Sequence, residues 1–245
     1  MDFPILKSAP PHVDTPQMIE VDRLMVEEYH IDLVQMMENA GRNLARLAVN
    51  RFLQNGANRV VIMAGTGGNG GGALVAARHL HNWGKSVRVI LTRSQQLFKG
   101  VPAHQVEILQ NMRVTTYTFT DTRNISVPDL IIDGLIGYSL KGSPSGKAAE
   151  LIRWANLQKV TVLSLDIPSG LDASTGIAHE PVINATATMT LALPKKGFLT
   201  PGAKSLIGEL YLADIGVPPE LYAKPSLNLD MEPLFSSGEI LRLAL

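Results

Sequence analysis

An apolar run, Arg59-Val60-Val61-Ile62-Met63-Ala64, leads directly into Gly65-Thr66-Gly67-Gly68-Asn69-Gly70-Gly71-Gly72, which leads directly into Ala73-Leu74-Val75-Ala76-Ala77-Arg78-His79-Leu80. The first run is rich in β-branched residues and the last in helix formers, so the stretch reads as a strand, a glycine loop and a helix. Glycine lets the backbone approach a ligand closely, and the unpaired amides at a helix start carry the positive end of the helix dipole. Such a loop suits phosphate. The same pattern also serves as a bare strand-to-helix turn.

Two standard phosphate templates fail. A dinucleotide fold places an acidic residue about 20 positions on, at the end of the second strand, to hold the ribose. Here that strand ends in Thr92-Arg93-Ser94, which argues against a plain dehydrogenase. A kinase-type loop fails at Gly84-Lys85-Ser86, because His79 stands where its first glycine belongs.

Further β-rich runs at 87–91, 114–119, 130–132, 160–165, 186–193 and 209–212 alternate with helix-like segments. This predicts an α/β fold with a mostly parallel sheet covered by helices on both faces, and a mixed edge among the late strands. Ahead of the sheet, Thr15-Pro16 starts a helix running to Tyr29. Ile31 to Phe52 carries apolar residues at helical spacing. The expected organisation is one domain over 1–245: a helical arm at 1–55, a core at 56–216, and a tail at 217–245 whose Val217-Pro218-Pro219 and Lys224-Pro225 read as surface.

Composition limits the partners. The 22 Lys+Arg match the 22 Asp+Glu, giving a formal net charge of +0. That supplies no global attraction for nucleic acid or an anionic membrane. With no cysteine, disulfides and thiolate metal sites are excluded. The start Met1-Asp2-Phe3-Pro4 is unlike a signal peptide, and the apolar runs are broken well short of a membrane span, so a cytoplasmic protein is expected.

In an open parallel sheet, ligands bind beyond the carboxyl ends of the strands. Three segments lie at such ends: the glycine loop after Ala64, Asp133 to Gly142 after Ile132, and Asp166-Ile167-Pro168-Ser169-Gly170 after Leu165. Each acid alone also reads as a turn-capping residue. Together the three segments should converge into a site. Asn69, Asp133 and Ser169 lie in these loops and offer the oxygen donors that hard cations prefer. His79 and His81 are two apart on a helix and cannot share a face, which argues against zinc. No histidine is placed in sequence to serve Ser169 as a base, so Ser169 reads as a turn residue or ligand rather than a nucleophile.

These residues resemble the YjeF N-terminal domain family of NAD(P)H-hydrate epimerases. The resemblance rests on Thr15 to Asp22, Met37 to Arg42, the helix after the glycine loop, Asp133 to Gly142, Leu165 to Asp172, Thr175-Gly176, and Pro194-Lys195-Lys196-Gly197. It covers nearly the whole chain. It implies a Rossmann-like α/β/α sandwich, often a homodimer, that interconverts the R and S forms of hydrated NADH and NADPH (NADHX and NADPHX). A separate dehydratase would act in the same pathway. By the same resemblance, Asn69, Asp133 and Ser169 would bind a potassium ion. Substrate contacts would come from Gly68, Asn69, Gly70, Gly71 and Gly72, from Gly137, Tyr138, Ser139, Leu140, Lys141, Gly142 and Ser143, and from Asp166. Asp166 is the expected catalytic acid/base.

The family's glycine loop usually reads Gly-Pro-Gly-Asn-Asn-Gly-Gly-Asp-Gly. This chain has Thr66 for the proline, Gly68 for the first asparagine, Gly72 for the aspartate and Ala73 for the last glycine. Ser145 stands where the family commonly has arginine. These departures leave a second reading open, a non-catalytic nucleotide-binding or dimerisation module of the same fold.

Overall fold

The computed structural model describes residues 3–6, 10–118 and 125–244. Phe119, the expected end of the third strand, lies outside them. The described residues form an eight-stranded sheet in the order β3-β2-β1-β4-β5-β6-β7-β8. Its strands are β1 Arg59–Ala64, β2 Ser86–Leu91, β3 Thr115–Thr118, β4 Leu130–Gly134, β5 Thr161–Leu165, β6 Ala187–Leu191, β7 Glu209–Ala213 and β8 Ile240–Leu243. Neighbours run parallel except β7 and β8. The chain builds outward from β1 to β2 and β3, then returns to place β4 on the other side of β1. This reversal opens a crevice at the carboxyl ends of β1 and β4.

Side chains alternate across the sheet, and each set meets its own helices. From β1, Val60, Ile62 and Ala64 pack with α2 (Leu33–Leu47), α3 (Gly68–Asn82) and α4 (Gly100–Asn111). Val61 and Met63 pack on the opposite face with α5 (Gly146–Leu157). The result is the three-layer α/β/α arrangement that the alternation of elements implied.

Helix α1 (Thr15–Glu27) begins at a reciprocal cap. The Gln17 amide donates to Asp14 Oδ1 at 3.0 Å, and the Asp14 amide donates to Gln17 Oε1 at 3.1 Å, satisfying two donors that a helix start leaves open. The expected helix from Ile31 to Phe52 is α2 followed by a π-helical turn at Ala48–Phe52. These helices are built into the body of the molecule. Met18, Val21, Leu24 and Met25 of α1 share a buried cluster with Leu193, Ile215 and Leu221, while α2 lies tightly on α3. A Cβ on Gly41 would sit 2.4 Å from Val75 Cβ and 2.5 Å from the Gly72 carbonyl oxygen.

The reading of 217–245 as a surface tail is corrected. The segment forms α6 (Pro219–Tyr222), buries Leu221 and Tyr222, and returns as β8 to pair antiparallel with β7. Its prolines interrupt local structure without keeping the segment off the core, because Ile240, Leu241 and Leu243 all become buried.

Candidate active site

The carboxyl ends of β1, β4, β5 and β6 open onto one cavity of about 450 Å³, a volume typical of small-molecule sites, which run roughly 300–1,000 Å³. Its base is made by the loops after the strands, and its apolar wall by Met18 of α1 and Leu33, Met36 and Met37 of α2. Thr15 ties α1 to the loop after β4 by donating through Oγ1 to the Tyr138 carbonyl at 3.1 Å. The first two turns of α1 therefore sit over the strand ends.

The three segments singled out in the sequence do converge. Gly68, Asn69 and Gly72 line the cavity, as do Gly137, Tyr138, Ser139 and Asp166. Other expected contacts lie elsewhere. Gly70 and Gly71 are buried in packing: a Cβ on Gly70 would fall 1.8 Å from the Gly65 carbonyl oxygen, and one on Gly71 2.6 Å from Met37 Sδ. Their small size serves close approach of chain to chain. Leu140, Lys141, Gly142 and Ser143 do not line the cavity, and the last three are exposed. Gly67 caps α3 without any side-chain oxygen, so the amides of the first turn, where Gly68 and Asn69 lie, have no partner within the helix. They offer a ready anion site beside the cavity.

Asp166 sits at an unusual bend. It follows β5 with φ of 65°, in a three-residue turn closed by the Ile167 amide donating to the Leu165 carbonyl at 2.8 Å. Ala192 repeats this geometry after β6, with φ of 62° and the Leu193 amide 2.7 Å from the Leu191 carbonyl oxygen. Turns of this hand are rare and strained, and such strain concentrates at functional positions. Lys195 approaches from beyond the second turn. Its Nζ lies 2.7 Å from Asp166 Oδ1, and the lysine side chain is completely buried. The ammonium also donates to Thr190 Oγ1 at 3.1 Å and to the carbonyls of Leu191 and Leu193 at 3.0 Å each. The Leu191 amide donates to the same Oδ1 at 3.3 Å. One carboxylate oxygen is thus held firmly, while Oδ2 has no protein hydrogen bond among the described residues.

Asp133 and Ser169 form a closed cluster behind the cavity wall rather than on its surface. Asp133 is fully buried in β4. Its Oδ1 accepts from Ser169 Oγ at 2.6 Å and the Leu135 amide at 3.2 Å, and its Oδ2 accepts from Ser164 Oγ and the Ser169 amide at 2.9 Å each. Burial pushes its carboxyl above the ordinary carboxylate range, opposed by these hydrogen bonds. No ion pair to Asp133 occurs among the described residues. The Asn69 side chain lies against Gly137, where an added Cβ would fall 3.3 Å from its Cγ, and its Nδ2 is buried without a partner.

Sequence reasoning gave no role to Lys195 or Asp22, although both lie in quoted motifs. Lys195 carries no local sign of burial. Asp22 does carry one: Met18, Asp22 and Met25 are spaced for a single face of α1, so an acid interrupts an apolar stripe. Asp22 lines the cavity, and Tyr138 donates its hydroxyl to Asp22 Oδ2.

The fold and cavity define a Rossmann-like α/β/α protein with its site at the switch point of a mostly parallel sheet. Residues 33–197 match the family described as YjeF-related protein N-terminus, and the chain belongs to that family. A protein of Dehalogenimonas lykanthroporepellens named NAD(P)H-hydrate epimerase is 43% identical over 235 residues, covering 94% of this chain and 92% of that protein. One of the same name from Rhodopirellula baltica is 33% identical over 205 residues, 82% of this chain and 83% of the other. The bifunctional NAD(P)H-hydrate repair enzyme Nnr of Moorella thermoacetica is 36% identical over 224 residues, 88% of this chain but 42% of the longer protein. The crystal structure of yeast ynu0 superposes with a TM-score of 0.80 at 23% identity, covering 95% of this chain and 100% of the other, and shows the shared fold.

Proposed function

We propose that this chain is an NAD(P)H-hydrate epimerase, an isomerase that interconverts the R and S forms of NADHX and NADPHX in the repair of nicotinamide cofactors. The observation that carries this reading is Asp166: a cavity carboxylate held at one oxygen by a buried ammonium, close to a helix start suited to pyrophosphate. In this reading the first-turn amides of α3 receive the pyrophosphate, and the methionine wall covers a ring. Asp166 exchanges a proton with the hydrated nicotinamide, because inversion at C6 requires bonds to that carbon to break and re-form.

Asn69, Asp133 and Ser169 would hold a potassium ion. The donor chemistry fits, since Asp133 is a buried carboxylate without an ion-pair partner among the described residues, the Ser169 hydroxyl stands beside it, and Asn69 carries a buried amide nitrogen without a hydrogen-bond partner. When bound, the ion would supply the positive charge that this carboxylate otherwise lacks. The proposed enzyme is a homodimer acting in the cytoplasm. Among the described residues no helix is long and apolar enough to cross a membrane.

The test couples the reaction to consumption of one epimer. R-hydrate is supplied with an S-specific dehydratase, and return of reduced cofactor is followed with and without the protein. Return faster than spontaneous epimerisation supports the assignment. Unchanged return would leave a ligand-binding module of the same fold.

A further inference from the structure

The cavity contains a second carboxylate that the preceding reading leaves idle. Asp22 enters it from α1 and lines it together with Asp166 and Tyr138. The two acids differ in their company. Asp166 is ion-paired to Lys195, whose remaining contacts are all neutral oxygens. Asp22 has no ion pair among the described residues and accepts from the Tyr138 hydroxyl alone, leaving Oδ1 without a protein partner. The titratable groups that bear on Asp22 are Tyr138, Tyr222, Asp166 and Lys195, and the ammonium is already committed to Asp166. Two carboxylates in one cavity with a single buried ammonium cannot be equivalent. The one beside the lysine has its charge balanced by an ion pair, and the other has no cation paired to it among the described residues. Burial raises the Asp22 carboxyl above its ordinary range and the charge of Asp166 adds to this, while the Tyr138 hydrogen bond and the charge of Lys195 oppose it.

We propose that Asp22, oriented by Tyr138, is the general acid of this cavity and works with Asp166 as the base. The proposal rests on the epimerase reading. The hydrated ring is a carbinolamine at C6. Asp166 takes the proton of the C6 hydroxyl as the oxygen forms a carbonyl, the C6–N1 bond breaks, and its electron pair goes to N1, which takes a proton from Asp22. Rotation presents the other face of the aldehyde. N1 then attacks C6 and returns its proton to Asp22, while Asp166 returns its proton to the oxygen. Both acids end as they began, and only the configuration has changed. Asp22 and Asp166 are catalytic residues in this scheme, and Tyr138 is a positioning residue.

The experiment compares wild type, Asp22→Asn, Asp22→Glu and Tyr138→Phe in the coupled assay across pH, with affinity for NADP⁺ as the binding probe and thermal melts as the folding control. Wild type should lose kcat as pH rises through the Asp22 value, since the acid must be protonated. Asp22→Asn should lower kcat by about a hundredfold or more, in the range of general acid–base effects, with NADP⁺ affinity within about threefold of wild type. Asp22→Glu should recover part of that loss. Tyr138→Phe removes a hydrogen bond that favours the anion, so the alkaline limb should move to higher pH. Wild-type oxygen at C6 should survive turnover in ¹⁸O-water, because the hydroxyl never leaves. An Asp22→Asn protein with undiminished kcat and the same pH limb overturns the role of Asp22 and leaves the epimerase reading standing. Loss of affinity or folding in proportion to the loss of rate overturns it equally. A wild-type protein with no activity above background overturns the epimerase reading itself, and this proposal with it.

Discussion

Lys195 Nζ and Asp166 Oδ1 are 2.7 Å apart, with the lysine side chain wholly enclosed and the aspartate nearly so. A buried charge is costly unless paired, so each member of this pair depends on the other. The pair joins the strained turns after β5 and β6 and fixes where Asp166 presents its second oxygen. Removing the lysine while keeping the carboxylate is therefore the most damaging change at the site. Lys195→Met should destabilise the fold by about 3–5 kcal/mol, the usual cost of breaking a buried pair, and abolish turnover. Chemical denaturation checks the first effect. A loss under about 1 kcal/mol would show that the pair contributes little to the fold.

Asp166→Asn separates charge from shape. Asparagine tolerates the positive φ at this position, so the turn should persist. The ammonium keeps its Thr190, Leu191 and Leu193 acceptors, which should make the stability loss smaller than for Lys195→Met. The expected result is a folded protein whose kcat falls by at least about a hundredfold. Turnover near wild type would assign proton transfer to another group.

Potassium should change the pH dependence of stability through Asp133. Burial raises this carboxyl, so the fold favours its neutral form. Its contribution is fully present below the unfolded value of about 3.9 and is lost as pH rises through the folded value. A bound cation compensates the anion and offsets that loss. Thermal midpoints from acidic to neutral pH should fall more steeply in tetramethylammonium buffer than in potassium buffer, and Asp133→Asn should remove the difference. Superimposable curves in the two buffers would rule out this cation site.

Gly41→Ala tests the seat of α2 on α3. The added methyl would meet Val75 Cβ at 2.4 Å and the Gly72 carbonyl oxygen at 2.5 Å, and backbone cannot yield as a flexible side chain can. Overpacking of this kind costs about 1–3 kcal/mol. Because α2 also forms the methionine wall of the cavity, ligand affinity should weaken with it. A melting temperature unchanged from wild type would mean that the helices separate freely.

The glycine loop, the seven expected strands and the two leading helices were legible because each is a local pattern: an apolar run, a helical period, or a run of residues that start or stop an element. The convergence of the glycine loop with the segments after β4 and β5 was also within reach, since strand ends of a parallel sheet fall on one edge. Strand β8 was not. Ile240-Leu241-Arg242-Leu243 is short, and it becomes a strand only because β7 offers an open edge to pair with. The site's chemistry was likewise decided in three dimensions. Tyr138 and Asp22 stand 116 residues apart in the chain, and Lys195 reaches Asp166 only because β5 and β6 lie side by side and end in matching turns. Local sequence sets which elements form. Which acid is paired with an ammonium, and which is left to hold a proton, depends on burial and neighbours that exist only after the elements have packed.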